Sequence, residues 1–200
     1  MQKIPTLFER DETKPGHPVV DQVKPECAWV LEGEGTATRK IDGTNVRIRE
    51  GQLEKRQKPK DRDYDEASYV ACRRGAPDDV WAFEAFDRFL GIQEEADRRA
   101  IFPDMAATQP VDVVDGRFDG IYELVGPKVQ GNPHGLLHHR LVRVVPFDSS
   151  LVVKRDALRR FDEIRTTLID NPQWEGLVFH HPDGRLAKIK RRDFGLPWPV

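Results

Sequence analysis

Thr38-Arg39-Lys40-Ile41-Asp42-Gly43-Thr44-Asn45 places a lysine two residues before an acid, and a glycine, a hydroxyl and an amide directly after it. Beyond this stretch Val46 and Ile48 alternate with Arg47 and Arg49, a period-two pattern that predicts a half-buried strand. Lys40 therefore falls at the end of one strand, and the motif turns into the next. A lysine that attacks phosphorus must do so as the neutral amine, which desolvation or neighbouring cations favour. A glycine just past the turn lets backbone approach a ligand closely. The same residues also spell an ordinary hairpin, because Asp-Gly is a common tight turn and a lysine beside it is usually a solvated edge charge.

Working outward, residues 44–49 and 52–57 read as a hairpin around Glu50-Gly51. Its second arm runs into Lys55-Arg56-Gln57-Lys58-Pro59-Lys60-Asp61-Arg62, either a solvated basic loop or an edge that tracks phosphates near Lys40. Upstream, Gly33-Glu34-Gly35 resembles a phosphate loop only superficially. A Walker A loop needs its lysine one place earlier, and a dinucleotide fingerprint needs glycine where Thr38 stands. Residues 27–31 read as a short apolar strand. Residues 1–26, with Pro5, Pro15, Pro18 and Pro25, read as an irregular arm anchored by Leu7 and Phe8.

Downstream, Asp78 or Asp79 is placed to cap a helix through about Leu90, with Val80, Phe83, Phe86 and Leu90 as its apolar face. Residues 94–100 read as a short helical turn and 103–117 as a loop. Strands are expected over 118–125, 141–147 and 151–153, with a Gly-Pro-rich loop at 126–135 between the first two. A helix is expected from about Asp156 to Ile169, on the spacing of Leu158, Phe161, Ile164 and Leu168. Residues 176–180 and 185–190 read as a hairpin around Pro182-Asp183-Gly184.

Two hundred residues suit a single domain. A third of them are charged, but the formal net charge is −2, which excludes a generally basic nucleic-acid binder and leaves only a local cationic patch. Two cysteines give neither a disulfide framework nor a zinc pattern, and no apolar run reaches the ~20 residues of a membrane span. A soluble, cytoplasmic protein is expected. The histidine pairs His138-His139 and His180-His181 read as surface, and Asp162-Glu163 as a solvated helix face.

Four signals follow Lys40 in order. Arg56 lies on the strand after the hairpin turn. Glu123 ends an apolar strand. Glu175-Gly176-Leu177-Val178 sets a carboxylate at the mouth of another. Lys188-Ile189-Lys190 puts two lysines on one strand face, because side chains alternate. This order resembles the covalent nucleotidyltransferase superfamily of polynucleotide ligases and RNA capping enzymes. It is similar above all to RNA ligases, which carry Thr-Asn after the motif as Thr44-Asn45 do here. More narrowly it resembles the small 5′-to-3′ RNA ligase family with a vertebrate member. That likeness includes Lys3-Ile4-Pro5, Gly131-Asn132-Pro133 with Gly135-Leu136, and Gly195-Leu196 with Trp198-Pro199. Residues 60–118 match poorly.

The resemblance implies an α+β fold: a nucleotidyltransferase (ATP-grasp-like) domain of two antiparallel sheets with outer helices and AMP between the sheets. Many ligases and capping enzymes append an OB-fold; with so few residues after Lys190, none is expected here. It implies an ATP-dependent RNA ligase, acting in RNA repair, that joins 5′-phosphate to 3′-hydroxyl RNA ends through a lysyl-AMP and an adenylated RNA. A DNA ligase, a capping-type nucleotidyltransferase and a non-catalytic RNA-binding descendant are the rival readings. Lys40 would carry the AMP, with Lys188 and Lys190 stabilising charge on the α-phosphate and Asp42 orienting either the lysine or a metal-bound water. Glu123 and Glu175 would hold Mg2+ or Mn2+, directly or through its waters. Thr38, Arg39, Asn45 and Arg56 would complete the nucleotide site. Phe147 is either an adenine-stacking ring or a core aromatic. Arg56, Lys58, Lys60, Arg191 and Arg192 would face the RNA.

Overall fold

A computed structural model describes residues 4–57, 69–101, 118–154 and 158–199, the side chains of residues 92–101 excepted. Lys58, Lys60 and the expected loop at 103–117 lie outside the described residues. In chain order the elements are β1 (Phe8–Arg10), β2 (Val19–Val23), α1 (Ala28–Leu31), β3 (Thr36–Lys40), β4 (Thr44–Arg49), β5 (Gln52–Arg56), β6 (Tyr69–Ala71), α2 (Val80–Ile101), β7 (Gly120–Val125), β8 (Arg140–Val145), β9 (Val152–Val153), α3 (Phe161–Asp170), β10 (Gly176–His180) and β11 (Leu186–Lys190). The fold is α+β with antiparallel sheets. Among the described residues there are three sheets rather than two: β1-β2, β11-β10-β3-β9 and β6-β5-β4-β7-β8. No described helix is long and apolar enough to cross a membrane. The chain divides into two compact units, Met1–Asp42 with Phe147–Val200, and Gly43–Pro146 between them.

In the first unit the alternation of β3, β10 and β11 separates two faces. Ala37, Leu177, Phe179, Ala187 and Ile189 have no exposed surface and pack with Leu7, Phe8, Val30, Ile164 and Leu168. Lys40, Thr38, Val178, His180, Lys188 and Lys190 occupy the other face by register. Where it is described, from residue 4, the arm expected to be irregular is ordered: β1 and β2 pair, and residues 5–7 bond along β11 through Leu7 N to Lys188 O (2.8 Å) and Lys188 N to Pro5 O (2.9 Å). Strands this short, interrupted by prolines, leave no periodic signal. Leu7 and Phe8 are its anchors as expected, both fully buried. The expected strand over 27–31 is helical. Pro25 opens a 3-10 turn that runs on as α1, and Trp29 and Val30 are buried. Proline suits a first helical turn, and a five-residue apolar run does not distinguish a strand from a buried helix. Helix α3 begins at Phe161, not Asp156; Leu158 is buried ahead of it, and Glu163 accepts the Arg159 amide at 3.2 Å.

In the second unit Val46, Ile48, Leu53, Tyr122 and Leu124 pack against Ala82, Ala85 and Phe86 of α2. That helix runs on past Leu90 through the segment read as a separate turn. Val80 is 44% exposed and no part of its apolar face. The Asp79 carboxylate is engaged elsewhere. Pro77 opens a 3-10 turn, while Asp79 accepts Lys55 Nζ at 2.5 Å and the Arg73 amide at 2.9 Å. Burial raises the Asp79 pKa, but the Lys55 and Arg73 bonds and their charges outweigh it and hold the carboxyl below its ordinary value. His139 is buried rather than on the surface: it pairs with Glu84 at 3.0 Å and stacks on Trp81.

Candidate functional site

Strand β3 ends at Lys40, directly opposite Gly176 of β10, and Gly176 in turn lies opposite Lys190 of β11. Lys40, Gly176 and Lys190 thus form one rung, with a lysine on either side of a residue that has no side chain. The glycine is required there. A Cβ at Gly176 would sit 2.1 Å from the Ile189 carbonyl oxygen, closer than any carbon can approach. One residue earlier, Glu175 is fully buried beneath this rung. Its Oε2 accepts Lys40 Nζ at 2.5 Å, and Lys190 Nζ lies 2.8 Å from Oε1, off the line of a hydrogen bond. Arg192 approaches the same Oε1 at 3.8 Å. Lys40 Nζ also donates to the Ile41 carbonyl at 3.2 Å.

Three cations therefore converge on one carboxylate. A buried carboxylate needs partners, and this one has more positive charge around it than it neutralises. The surplus suits a multiply charged anion. The second rung of the same face carries Thr38, Val178 and Lys188, the third Thr36, His180 and Leu186. The Thr38 hydroxyl lies 3.0 Å from His180 Nε2, and Phe147 sits against the His180 ring with centroids 4.7 Å apart. Burial pushes the His180 pKa down to about 4, so the imidazole is neutral at pH 7. Arg39, on the opposite face, donates to Ser150 O at 3.2 Å. Asp42 accepts the Trp198 indole N–H at 2.8 Å.

The second unit has its own polar face. Glu123 and Asn45 are register partners, as are Arg56 and Tyr69, and the β4–β5 register sets Arg56 beside Asn45. One rung thus carries Tyr69, Arg56, Asn45 and Glu123. Tyr69 Oη donates to Asn45 Oδ1 at 2.6 Å, which turns the amide so that Nδ2 donates to Glu123 Oε1 at 3.3 Å. Burial raises the Tyr69 pKa against the opposing charges of Arg56 and Arg47, so the hydroxyl keeps the proton it donates.

The fold brings together Lys40, Glu175 and Lys190, and separately Asn45, Arg56 and Glu123. Arg191 is not a surface cation: it is 4% exposed, and its guanidinium donates to the carbonyls of Leu168, Asn171 (3.4 Å) and Pro197 (2.9 Å). Arg192 is 63% exposed. Sequence reasoning missed His180, Tyr69 and the Trp198–Asp42 contact. The signal for His180 was present: positions 176, 178 and 180 share the face opposite buried Leu177 and Phe179. Tyr69 follows a segment with no hydrophobic period, and an indole reaching back 156 residues leaves no local trace.

The hard oxygen donors Glu123 and Glu175 suit Mg2+ or Mn2+. Glu175 Oε1, buried without an aligned donor, is the atom that a cation or its water would take. Among the described residues no three His, Cys, Asp or Glu side chains cluster as a metal site. Magnesium bound mainly through substrate phosphates needs no such cluster.

The family model RNA ligase 1 matches residues 106–200. That span holds Glu123, Glu175, Lys188, Lys190 and Trp198, and stops short of Lys40. RNA ligase 1 of Danio rerio is 37% identical over 82 residues, covering 39% of this chain and 25% of that protein. RNA ligase 1 of Pongo abelii is 33% identical over 81 residues and that of Mus musculus 34% over 90, with the same coverage. This chain is similar to RNA ligase 1, and the matches take in about a quarter of the length of these relatives.

Proposed function

We propose that this chain is an ATP-dependent RNA ligase that joins 5′-phosphate and 3′-hydroxyl RNA ends and acts in RNA repair. The observation that supports this best is the convergence of Lys40, Lys190 and Arg192 on buried Glu175. It offers a nucleophile already held at a cationic, largely dehydrated point, where phosphoryl transfer needs positioning and charge neutralisation. Lys40 Nζ leaves Glu175 and attacks the α-phosphorus of ATP as the neutral amine. The N–P bond forms, the bond between the α-phosphorus and its bridging oxygen breaks, and pyrophosphate departs. Lys188 and Lys190, on the face that carries Lys40, neutralise the charge that develops on the α-phosphate oxygens. The AMP then passes to an RNA 5′-phosphate, and an RNA 3′-hydroxyl displaces it.

A divalent cation, Mg2+ or Mn2+, would supply further charge neutralisation on the phosphates; Glu175 in one unit and Glu123 in the other are each a carboxylate suited to it. Asn45, oriented by Tyr69, sets the Glu123 carboxylate. Arg56 would take a ribose or a terminal phosphate through its bidentate fork. Phe147 and neutral His180 form an aromatic corner beside Thr38, of a kind that suits a purine, and Arg39 stays with Ser150. Arg192, 63% exposed, is the cation beside this cluster that RNA could reach.

Intact mass after incubation with ATP and magnesium tests this. One AMP should be added to the wild type and none to Lys40→Ala. An adduct that persists in Lys40→Ala overturns the assignment of the nucleophile. Labelling by GTP instead of ATP would favour the capping reading, and sealing of nicked DNA but not RNA the DNA ligase reading.

A further inference from the structure

We infer that Trp198 is a positioning residue for the Lys40 nucleophile, acting through Asp42; this rests on the adenylation reading above. The Gly195-Leu196-Pro197-Trp198 segment takes no part in the chemistry described so far, yet it is tied to the site at both ends. At one end, Asp193 accepts the Lys190 amide at 2.8 Å, and buried Arg191 donates to the Pro197 carbonyl at 2.9 Å. At the other, the Trp198 indole N–H donates to Asp42 Oδ2 at 2.8 Å across 156 residues.

Asp42 contributes the nitrogen half of the peptide unit whose oxygen is the Ile41 carbonyl. That carbonyl is one of two acceptors that hold Lys40 Nζ, at 3.2 Å, the other being Glu175 at 2.5 Å. Strand pairing ends at Lys40, so the turn that follows has no ladder to fix it. The indole bond supplies that restraint. It does so with an uncharged donor that does not titrate, and so adds no fourth cation to the cluster and draws no proton from Lys40. A ring of contacts results, running from Lys40 through Glu175, Lys190 and Arg191 to Trp198 and Asp42. Loss of the indole donor removes one restraint on Asp42, and through it on the Ile41 carbonyl.

The test is single-turnover formation of the lysyl-AMP, followed by intact mass over a range of ATP concentrations. Trp198→Phe keeps an aromatic ring and removes only the N–H. A hydrogen bond to a charged group predicts a maximal rate about tenfold to a hundredfold lower, with half-saturating ATP unchanged, as expected of a residue that acts only through Asp42. In an Asp42→Asn background, whose amide oxygen still accepts a neutral bond, the factor should shrink. In Asp42→Ala it should vanish. A Trp198→Phe rate equal to wild type, or the same slowing in all three backgrounds, overturns the inference, because the indole would then act on something other than Asp42. A wild-type protein that takes no AMP overturns the adenylation reading itself, and this inference with it.

Discussion

Glu175 and Lys40 share one ion pair, yet their removal should not cost the same. Glu175→Gln leaves Lys40 and Lys190 facing each other with the charge between them gone. Two ammoniums roughly 6 Å apart repel by about 3 kcal/mol at an effective dielectric of about 20. Both are about one-fifth exposed, at 19% and 21%, so water reduces this to about 1–2 kcal/mol, and the lost charge-assisted bond from Lys40 adds about 1 kcal/mol more. The sum is about 2–3 kcal/mol. Lys40→Met, by contrast, leaves Glu175 with Lys190 and Arg192 still beside it and removes one member of a repelling set. It loses the same charge-assisted bond, about 1 kcal/mol, but relief of the lysine–lysine repulsion offsets that loss, so its net cost should stay under about 1 kcal/mol. At about 2–4 °C per kcal/mol for a chain of this size, thermal unfolding should place Glu175→Gln about 5–10 °C below wild type and Lys40→Met within about 3 °C of it. Raising the salt to about 1 M, where the Debye length is about 3 Å, should narrow the gap. Equal destabilisation by the two variants, or a larger loss from Lys40→Met, would refute the view that the cluster carries surplus positive charge.

His180 should make stability depend on pH. Its folded pKa, about 4 against 6.5 unfolded, means that the unfolded chain binds the extra proton between these values, so its contribution is complete above pH 6.5 and is lost as pH falls toward 4. The melting temperature of wild type should drop more steeply across that window than that of His180→Gln, and parallel curves would reject the burial of the imidazole. Arg191→Met should lower stability by about 1–3 kcal/mol, because the buried Leu168 carbonyl and the part-buried contacts to Asn171 and Pro197 lose their donor, whereas Arg192→Ala should stay within about 0.5 kcal/mol. Chemical denaturation of the two variants measures this, and equal midpoints would return Arg191 to the surface.

Much of this architecture was legible because it is written in alternation. Val46 and Ile48 against Arg47, Leu177 and Phe179 against His180, and Ile189 between two lysines each mark a strand with one buried face, and the structure has strands at all three places. Long amphipathic helices were legible too, though their ends were not: α2 continues where its apolar face fades, and α3 starts late because 158–160 hold an apolar anchor without helical backbone. The stretch at 27–31 failed for a different reason. Trp29 and Val30 are buried on all sides, so the sequence shows no face at all, and only Pro25 hints at a helix. In the site, the residues that share a strand face could be read from motif order and strand period, as with Lys188 and Lys190. The partner that makes the cluster, Glu175 beneath Lys40, depends on a pairing between strands 135 residues apart, and no local pattern encodes it. Arg191 shows the converse limit. Between Lys190 and Arg192 it looks like part of a basic edge, yet the 3-10 turn at Arg191–Phe194 rotates it inward.

The placing of Gly43–Pro146 between the two halves of the other unit sets an order of events during synthesis. The sheet of the inserted unit is built from β4 to β8, all within that one continuous segment. It can therefore fold as soon as residue 146 has cleared the ribosome. Strand β3 is made before that segment, but its partner β10 is made after it, and the loop between Lys40 and Gly176 closes only then. Closing so long a loop is slow compared with pairing neighbouring strands. For the time it takes to translate more than a hundred residues, at about 5–20 per second, Lys40 has no Glu175 to pair with. The amine thus lacks its carboxylate partner until residues 175–190 appear, and the cluster of Lys40, Glu175 and Lys190 assembles only then.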